Sequence, residues 1–405
     1  MFWRNCSKSI WTPTDIPKDE ADALLAFWEA TDGPNWANYT WDFGDTAGAM
    51  DGITVSDEHV TEIDLNEDVS IDGDCTDLAA LMSLTVLHLH NTSVSGDISE
   101  FSALMSLIRL YLHNTSVSGD ISGFSALTSL TRLYLHNTSV SGDISEFSAL
   151  TSLTVLRLYN TSVTGDISGF SALMSLIRLY LGDTSISGDV SGFSALTSLT
   201  HLHLHNTSVS GDIFGFSALT SLTVLYLHNT SVSGDISGFS ALTNLTYLRL
   251  DNTSVSGDIS GFSALTSLTR LYLGDTSVSG DISGFSALTS LSRLNSYNTS
   301  ISGDISGFSA LTRLTILYLY NTSVSYTNTM TFWNDGDNRI YDLSWIALTV
   351  DTFLHDLNET GVEDGILDIS GNNEAPTDGT VTGIDGLAAL DNLRNVRGWT
   401  VTATT

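Results

Sequence analysis

A 23-residue unit, LIRLYLHNTSVSGDISGFSALTS as it reads from Leu107, recurs with starts at Leu84, Leu107, Leu130, Leu153, Leu176, Leu199, Leu222, Leu245, Leu268, Leu291 and Leu314. Tandem repetition at this period leaves few folds open, because a unit this short cannot bury its apolar side chains alone. Within the copy, Leu110, Leu112 and Val117 have the spacing of a short strand that turns inward, and Ile121, Phe124 and Leu127 supply a facing wall. Stacked in parallel, the copies bury one continuous core, and strands of adjacent coils pair at about 4.8 Å. The expected fold is therefore an α/β repeat solenoid, counted as one array and not as the two or three domains that 405 residues would otherwise suggest.

The motif LxxLxLxxTxVSGDIS resembles the plant-type leucine-rich repeat, LxxLxLxxNxLSGxIP, over residues 60–325. That resemblance implies a horseshoe or superhelix with a parallel β-sheet on its concave face, a helical N-terminal cap and an α/β C-terminal cap. Thr115 and its equivalents stand where the family has a ladder asparagine, so hydroxyls must satisfy the backbone at that turn. Ser122 replaces the family's proline, and the unit is one residue shorter.

In the expected N-terminal cap, residues 1–59, Asp19–Thr31 reads as an amphipathic helix, and DGPNW at 32–36 and HVTEIDL at 59–65 follow it. The expected C-terminal cap, residues 326–405, resembles bacterial or phage-type surface repeat proteins. It reads as a helix near Thr349–Thr360, a strand Ile366–Ile369, a helix near Ile384–Val396 and a strand Trp399–Thr402. Such a cap keeps the last coil from exposing its core.

Hydrophobic residues make up 42% of the chain and prolines number only four, so disorder is not expected. A formal net charge of -32, from 46 acidic residues against two lysines and twelve arginines, argues against binding nucleic acid or anionic membranes. Two cysteines cannot form a disulfide framework. Cys75 falls in a column otherwise filled by Ile and reads as a buried small apolar residue, with a bridge to Cys6 as the alternative. Met1–Trp11 lack the apolar run of a secretory leader, and no stretch is long enough to span a membrane.

Copies made by duplication start identical, so the positions at which they differ mark where change was tolerated or favoured. The SGDI and FSAL stretches barely change, whereas three outward strand positions change from copy to copy. The first reads Val86, Arg109, Arg132, Val155, Arg178, His201, Val224, Tyr247, Arg270, Arg293, Ile316. The second reads His88, Tyr111, Tyr134, Arg157, Tyr180, His203, Tyr226, Arg249, Tyr272, Asn295, Tyr318. The third reads His90, His113, His136, Tyr159, Gly182, His205, His228, Asp251, Gly274, Tyr297, Tyr320.

Tyr and Arg are enriched at binding hot spots because they offer contact area and directed donors at modest entropic cost. Neutral drift on a solvated strand is the alternative, but drift would also have touched the Ser116 and Ser118 columns. The expected ligand is a protein surface with acidic and apolar groups, or a glycan stacked on the Tyr rings.

Other columns invite other chemistry. His201, His203 and His205 beside His228, and the file His90, His113, His136, are candidates for Zn²⁺ or a pH switch. No Cys or Glu completes a ligand set at defined spacing, so they are read as contact residues, uncharged at pH 7. Asp97, Asp120, Asp143, Asp166, Asp189, Asp212, Asp235, Asp258, Asp281 and Asp304 form a lateral file, with Asp74 ahead of them. Like charges so close call for screening, and Ca²⁺ is a candidate counter-ion beside the plainer reading of a solubilising, edge-guarding stripe.

The Asn-Thr-Ser sequons at Asn91, Asn114, Asn137, Asn160, Asn206, Asn229, Asn252, Asn298 and Asn321 arose together by repetition and read as hydrogen-bonding surface residues. No G-x-S-x-G, Walker loop, HExxH or EF-hand loop is present, and carboxylates repeated by translation do not converge as an acid/base pair would. The sequence thus points to a non-enzymatic, extracellular or cell-surface recognition or adhesion protein without cofactor or membrane insertion. The rivals are a self-associating surface-layer or filament subunit and, further behind, an ice-binding protein.

Overall fold

The computed structural model describes residues 11–44, 46–327, 337–339, 347–361, 363–380 and 384–404. It divides into two compact units, Met1–Gly188 and Asp189–Thr405.

The first unit opens with the helix Lys18–Ala30, which buries Ala21, Ala23, Leu24 and Phe27. Trp36 and Trp41 close over Phe27 with ring centroids 5.8 and 6.1 Å away. The buried Glu20 accepts the Val60 backbone N–H at 2.8 Å and lies 2.7 Å from His59 Nδ1, tying the helix to the first array strand. Ile53–Ser56 pairs antiparallel with His59–Asp64. From there the parallel strands Val86–His88, Arg109–Tyr111, Arg132–Tyr134, Val155–Arg157 and Arg178–Tyr180 follow, one per coil.

From Val86–His88 on, the register in this sheet is one period: Arg109 opposes Arg132, Leu110 opposes Leu133, and Tyr111 opposes Tyr134. Identical columns therefore stack without slippage, and Leu110, Leu112, Val117, Ile121, Phe124 and Leu127 are all fully buried. Burying a Leu or Phe side chain is worth about 1.5–3 kcal/mol, so six apolar columns repeated along the array supply most of its cohesion.

A second parallel sheet, which the repeat pattern did not announce, is built in this unit by Asp72–Asp74, the SVSGD segments Ser93–Asp97, Ser116–Asp120 and Ser139–Asp143, and SVTGD at Ser162–Asp166. Its register is staggered, with Ser118 opposite Ser139 and Asp120 opposite Ser141. Between the sheets the chain turns at an asparagine in the left-handed region, Asn114 at φ 57°. The following Thr115 hydroxyl donates to the Leu112 carbonyl at 2.6 Å, as expected of the residue standing in for the ladder asparagine. The coil returns through a short 3-10 turn such as Ser122–Ala126.

Cys75 is fully buried in the Ile column, and burial pushes its thiol up to about 12. Cys6, the alternative bridge partner, lies outside the described residues.

The second unit repeats the pattern from His201–His203 to Ile316–Tyr318, with second-sheet strands from Ser208–Asp212 to Ser323–Ser325. Its first sheet continues in parallel through Asp337–Arg339, Ile366–Ile369 and Thr400–Ala403. The helices Ala347–Glu359 and Gly386–Asn395 lie among these last strands in the sequence, each within a few residues of its expected place.

Candidate recognition surface

In the strand Arg109–Tyr111, Leu110 points into the core, so alternation turns Arg109 and Tyr111 outward, and His113 follows on the same side. One-period register then gathers the three variable positions of successive coils on one face of the first sheet in each unit. All the residues expected there take this side: His88 to Tyr180 in the first unit and His201 to Tyr320 in the second.

Their arrangement is a stack. In the first unit His88 lies on Tyr111 at 4.2 Å with planes 3° apart, and Tyr111 lies on Tyr134 at 4.4 Å. The Arg157 guanidinium is then sandwiched between Tyr134 and Tyr180, 4.6 and 4.9 Å from the ring centroids. Alongside runs a second file, His90–His113 at 4.5 Å, His113–His136 at 4.3 Å and His136–Tyr159 at 4.4 Å. In the second unit His203 stacks on Tyr226 at 4.1 Å, His205 on His228 at 4.6 Å and Tyr297 on Tyr320 at 4.6 Å. The files are cut at Asp251, which takes an ion pair from Arg249 at 2.8 Å, and at Gly274, over which the Tyr297 ring leans.

Ring faces inside such files are spent on one another, and what the surface presents is edges: phenol hydroxyls, imidazole nitrogens and guanidinium groups. Some are held in place already, as Arg293 donates to the Tyr272 hydroxyl at 3.0 Å. Arg109, Arg132, Arg178 and Arg270 are exposed, whereas His136 and His228 are buried. These two buried imidazoles correct the picture of every variable residue as a free contact group: His136 lies between the His113 and Tyr159 rings, and His228 lies against the His205 ring.

Packing sets the histidine protonation. Burial first, then the neighbouring His136, His90 and Arg157, push His113 down to about 3, and burial followed by Arg157 pushes His136 down to about 4. The Nδ1 atoms of His90, His113 and His136 are buried without a hydrogen-bond partner, which suits only the neutral ring. An unfolded His takes its proton near pH 6.5, so between that pH and the folded values the unfolded chain binds more protons. The contribution of His113 and His136 to stability is complete above pH 6.5 and is lost as pH falls from there through about 4 for His136 and about 3 for His113. The expected loss is about 1–3 kcal/mol for the two together, after discounting for their remaining contact with solvent. A double variant, His113→Gln with His136→Gln, should flatten the change in melting temperature between pH 7 and pH 4.5, and an unchanged slope would contradict this account.

The aspartate file has a local task. Asp120 Oδ1 accepts the Ser122 backbone N–H at 2.8 Å, and the same bond recurs in the other coils, as at Asp97, Asp143 and Asp166. Backbone donors hold the Asp97, Asp120, Asp189, Asp235 and Asp258 carboxyls below their ordinary range, and at Asp143 the Ser145 hydroxyl contributes most. Each carboxylate caps its own 3-10 turn. Among the described residues these aspartates form no group of three close enough to share an ion.

The sequon asparagines join side chain to side chain across coils, Asn137 Nδ2 donating to Asn114 Oδ1 at 2.6 Å and Asn252 to Asn229 at 2.7 Å. This side-chain ladder runs one residue before the Thr115 column, whose hydroxyls bond the backbone as expected. The repeat pattern also missed an acidic set on the first sheet's leading strand, Glu62 and Asp64 beside His88. Its only sequence signal was the alternation in HVTEIDL, which puts both acids in the variable columns.

A family model described as leucine-rich repeats, two copies, matches residues 220–264. No curated protein matches the chain. Among solved structures it is similar to the ectodomain of the Arabidopsis receptor kinase HAESA in complex with an N-terminally extended IDA peptide hormone, at 22% identity, over 88% of this chain and 63% of that one, with a TM-score of 0.64. It is also similar to a plant ice-binding protein, at 25% identity, over 66% of this chain and 89% of that one, with a TM-score of 0.57. A third likeness is to an internalin of Listeria monocytogenes, at 27% identity, over 66% of this chain and 82% of that one, with a TM-score of 0.51. The chain spans less than two thirds of the plant receptor chains it matches, 56% of PEPR1 and 54% of a TDR receptor. No helix among the described residues is long and apolar enough to cross a membrane.

Proposed function

The chain is a leucine-rich-repeat solenoid, and we propose that it is a non-enzymatic recognition protein that binds a protein or peptide on the variable face of its first sheet, outside the cell or at its surface. The observation that carries this reading is the coincidence of two patterns. The positions that differ between copies are those the register gathers on one face, and they are filled by Tyr, His and Arg packed into ordered files. Files of stacked rings hold their hydroxyls and guanidiniums in place before any ligand arrives, so little side-chain entropy is lost on binding.

Between the two expected ligand classes, the stacking favours a protein. A sugar ring packs on a free aromatic face, and inside these files the faces are taken. An edge of donors, with the exposed arginines along it in an otherwise acidic body, suits a segment carrying carboxylates and backbone carbonyls. The plant receptors that resemble this chain, the peptide hormone receptor RGFR1 in complex with RGF2 and the HAESA ectodomain in complex with an IDA peptide hormone, support the same class of partner.

The test is a binding screen of peptides, surface proteins and glycans with the wild-type chain and with a variant in which Arg109, Tyr111, Arg132 and Tyr134 become Ser. A second variant, Arg109→Ser with Arg132→Ser, leaves the rings stacked. The expected result is a loss of at least about 2 kcal/mol of binding in the quadruple variant, roughly thirtyfold, with partial loss in the double variant and the same melting temperature in the latter. Undiminished binding by both folded variants would sink the proposal.

A second reading, ice binding, has its own support in the serine columns of the second sheet, broken by Thr164, and in the likeness to a plant ice-binding protein. It is separable in one assay: thermal hysteresis that survives the quadruple substitution would move the function to the serine face, and none at high protein concentration would remove this reading.

A further inference from the structure

We propose that Glu62, Asp64 and His88 form a binding site for a divalent transition-metal ion at the leading end of the variable face. The strand His59–Asp64 runs parallel to Val86–His88, with Ile63 opposite Leu87 and Asp64 opposite His88. Ile63 and Leu87 are fully buried, so alternation turns Glu62, Asp64 and His88 to the other side together. One carboxylate oxygen from each acid and one imidazole nitrogen lie within 4.8 Å of one another. Ligands about 2.0–2.2 Å from a shared tetrahedral ion sit about 3.3–3.6 Å apart, a closure of the order that rotation of the two carboxylate side chains supplies.

Three further features prepare the site. The His88 ring is held by its stack on Tyr111, with planes 3° apart, so its orientation is fixed before any ion binds. The Asn66 side-chain amide donates to Asp64 Oδ1, which orients that carboxylate in the way outer-shell partners orient metal ligands. The imidazole is otherwise poorly satisfied: its Nδ1 is 3.5 Å from Asp64 Oδ2, long for a hydrogen bond, and its Nε2 is buried without a partner. Among the described residues neither Glu62 nor Asp64 is paired with Lys or Arg.

A mixed set of one imidazole and two carboxylates suits Zn²⁺ and neighbouring first-row ions, whereas Ca²⁺ and Mg²⁺ prefer all-oxygen shells. Three protein ligands leave at least one coordination position open toward solvent, where water or a carboxylate of a bound partner completes the shell. The site differs in place and chemistry from the aspartate file, and it stands independently of the ligand-binding proposal.

The test uses the full chain, stripped with a chelator, dialysed and titrated with ZnCl₂ at pH 7. The expected result is one high-affinity ion per chain, with at least tenfold weaker binding in Asp64→Asn and in His88→Gln. His113→Gln and His205→Gln should bind zinc as the wild type does. Melting curves without metal establish that each variant is folded, and Glu62→Gln, at the third ligand, replaces either of the first two that is not. The proposal is overturned by the absence of zinc binding, by less than tenfold weakening in the folded ligand variants, or by loss that follows His205→Gln instead.

Discussion

Replacing Phe285 by Ala is expected to destabilise the second unit by about 3–5 kcal/mol, the range for emptying a buried aromatic site. Phe285 is fully buried, and its ring stacks on Phe308 with centroids 6.3 Å apart. In a globular core the neighbours would relax inward from several directions. Here they cannot, because each coil is held in one-period register by a strand on one side and by the 3-10 turn Ile282–Phe285 on the other.

The damage should also be directional, since a solenoid's stability is a sum of coil and nearest-neighbour terms. Denaturant unfolding measures the loss, and hydrogen exchange places it. Protection should fall first in the coils carrying Phe262, Phe285 and Phe308 and be retained farther along the array. A cost below about 1 kcal/mol would mean that the coil closes over the gap and that the phenylalanine column is not what joins the copies.

How much of this molecule can be read from its sequence follows from what repetition does and does not encode. The leucine, valine, isoleucine and phenylalanine columns were legible because an apolar side chain repeated at one period has only the core to go to. The variable face was legible for the complementary reason: at Arg109, Tyr111 and His113 the copies disagree while their neighbours agree.

The stacking was not legible. Whether Tyr111 offers its face or its edge depends on the register distance to His88 and Tyr134, a relation between coils that no single copy contains. The second sheet escaped for a similar reason, since SVSGD has one buried residue, Val117, and its strand character appears only when Ser118 pairs with Ser139 of the next coil. The aspartates were read as a charge problem because their acceptor role depends on the backbone of the following turn. Glu62 and Asp64 were missed because they precede the first regular copy at Leu84, so their strand was not compared column by column with the others.

The uniformity of the SGDI stretch, used above as the background against which the variable face stands out, has its own physical cause, and Gly165→Ala tests it. Gly165 sits at φ 126°, a region that residues with a side chain rarely adopt. A Cβ added there would lie 2.5 Å from Asp143 Oδ1 of the preceding coil and 3.0 Å from the backbone nitrogens of Ile144 and Ser145. The carboxylate is not free to move aside: its Oδ1 accepts the Ser145 N–H at 2.8 Å and the Ser145 hydroxyl at 2.6 Å, and Ser145 Oγ in turn accepts the Asp166 N–H at 2.9 Å.

Backbone strain costs about 1–3 kcal/mol, and a lost cap about 1 kcal/mol more, so the expected destabilisation is about 2–4 kcal/mol. Asp143→Ala alone should cost only the cap. The double variant separates the causes: if the clash with the carboxylate dominates, Asp143→Ala rescues part of the loss and the two changes are far from additive. If the backbone conformation dominates, they add. Either outcome explains why glycine and aspartate stay fixed from coil to coil, whereas a Gly165→Ala chain as stable as the wild type would leave that uniformity without a structural cause and return weight to a ligand on the second sheet.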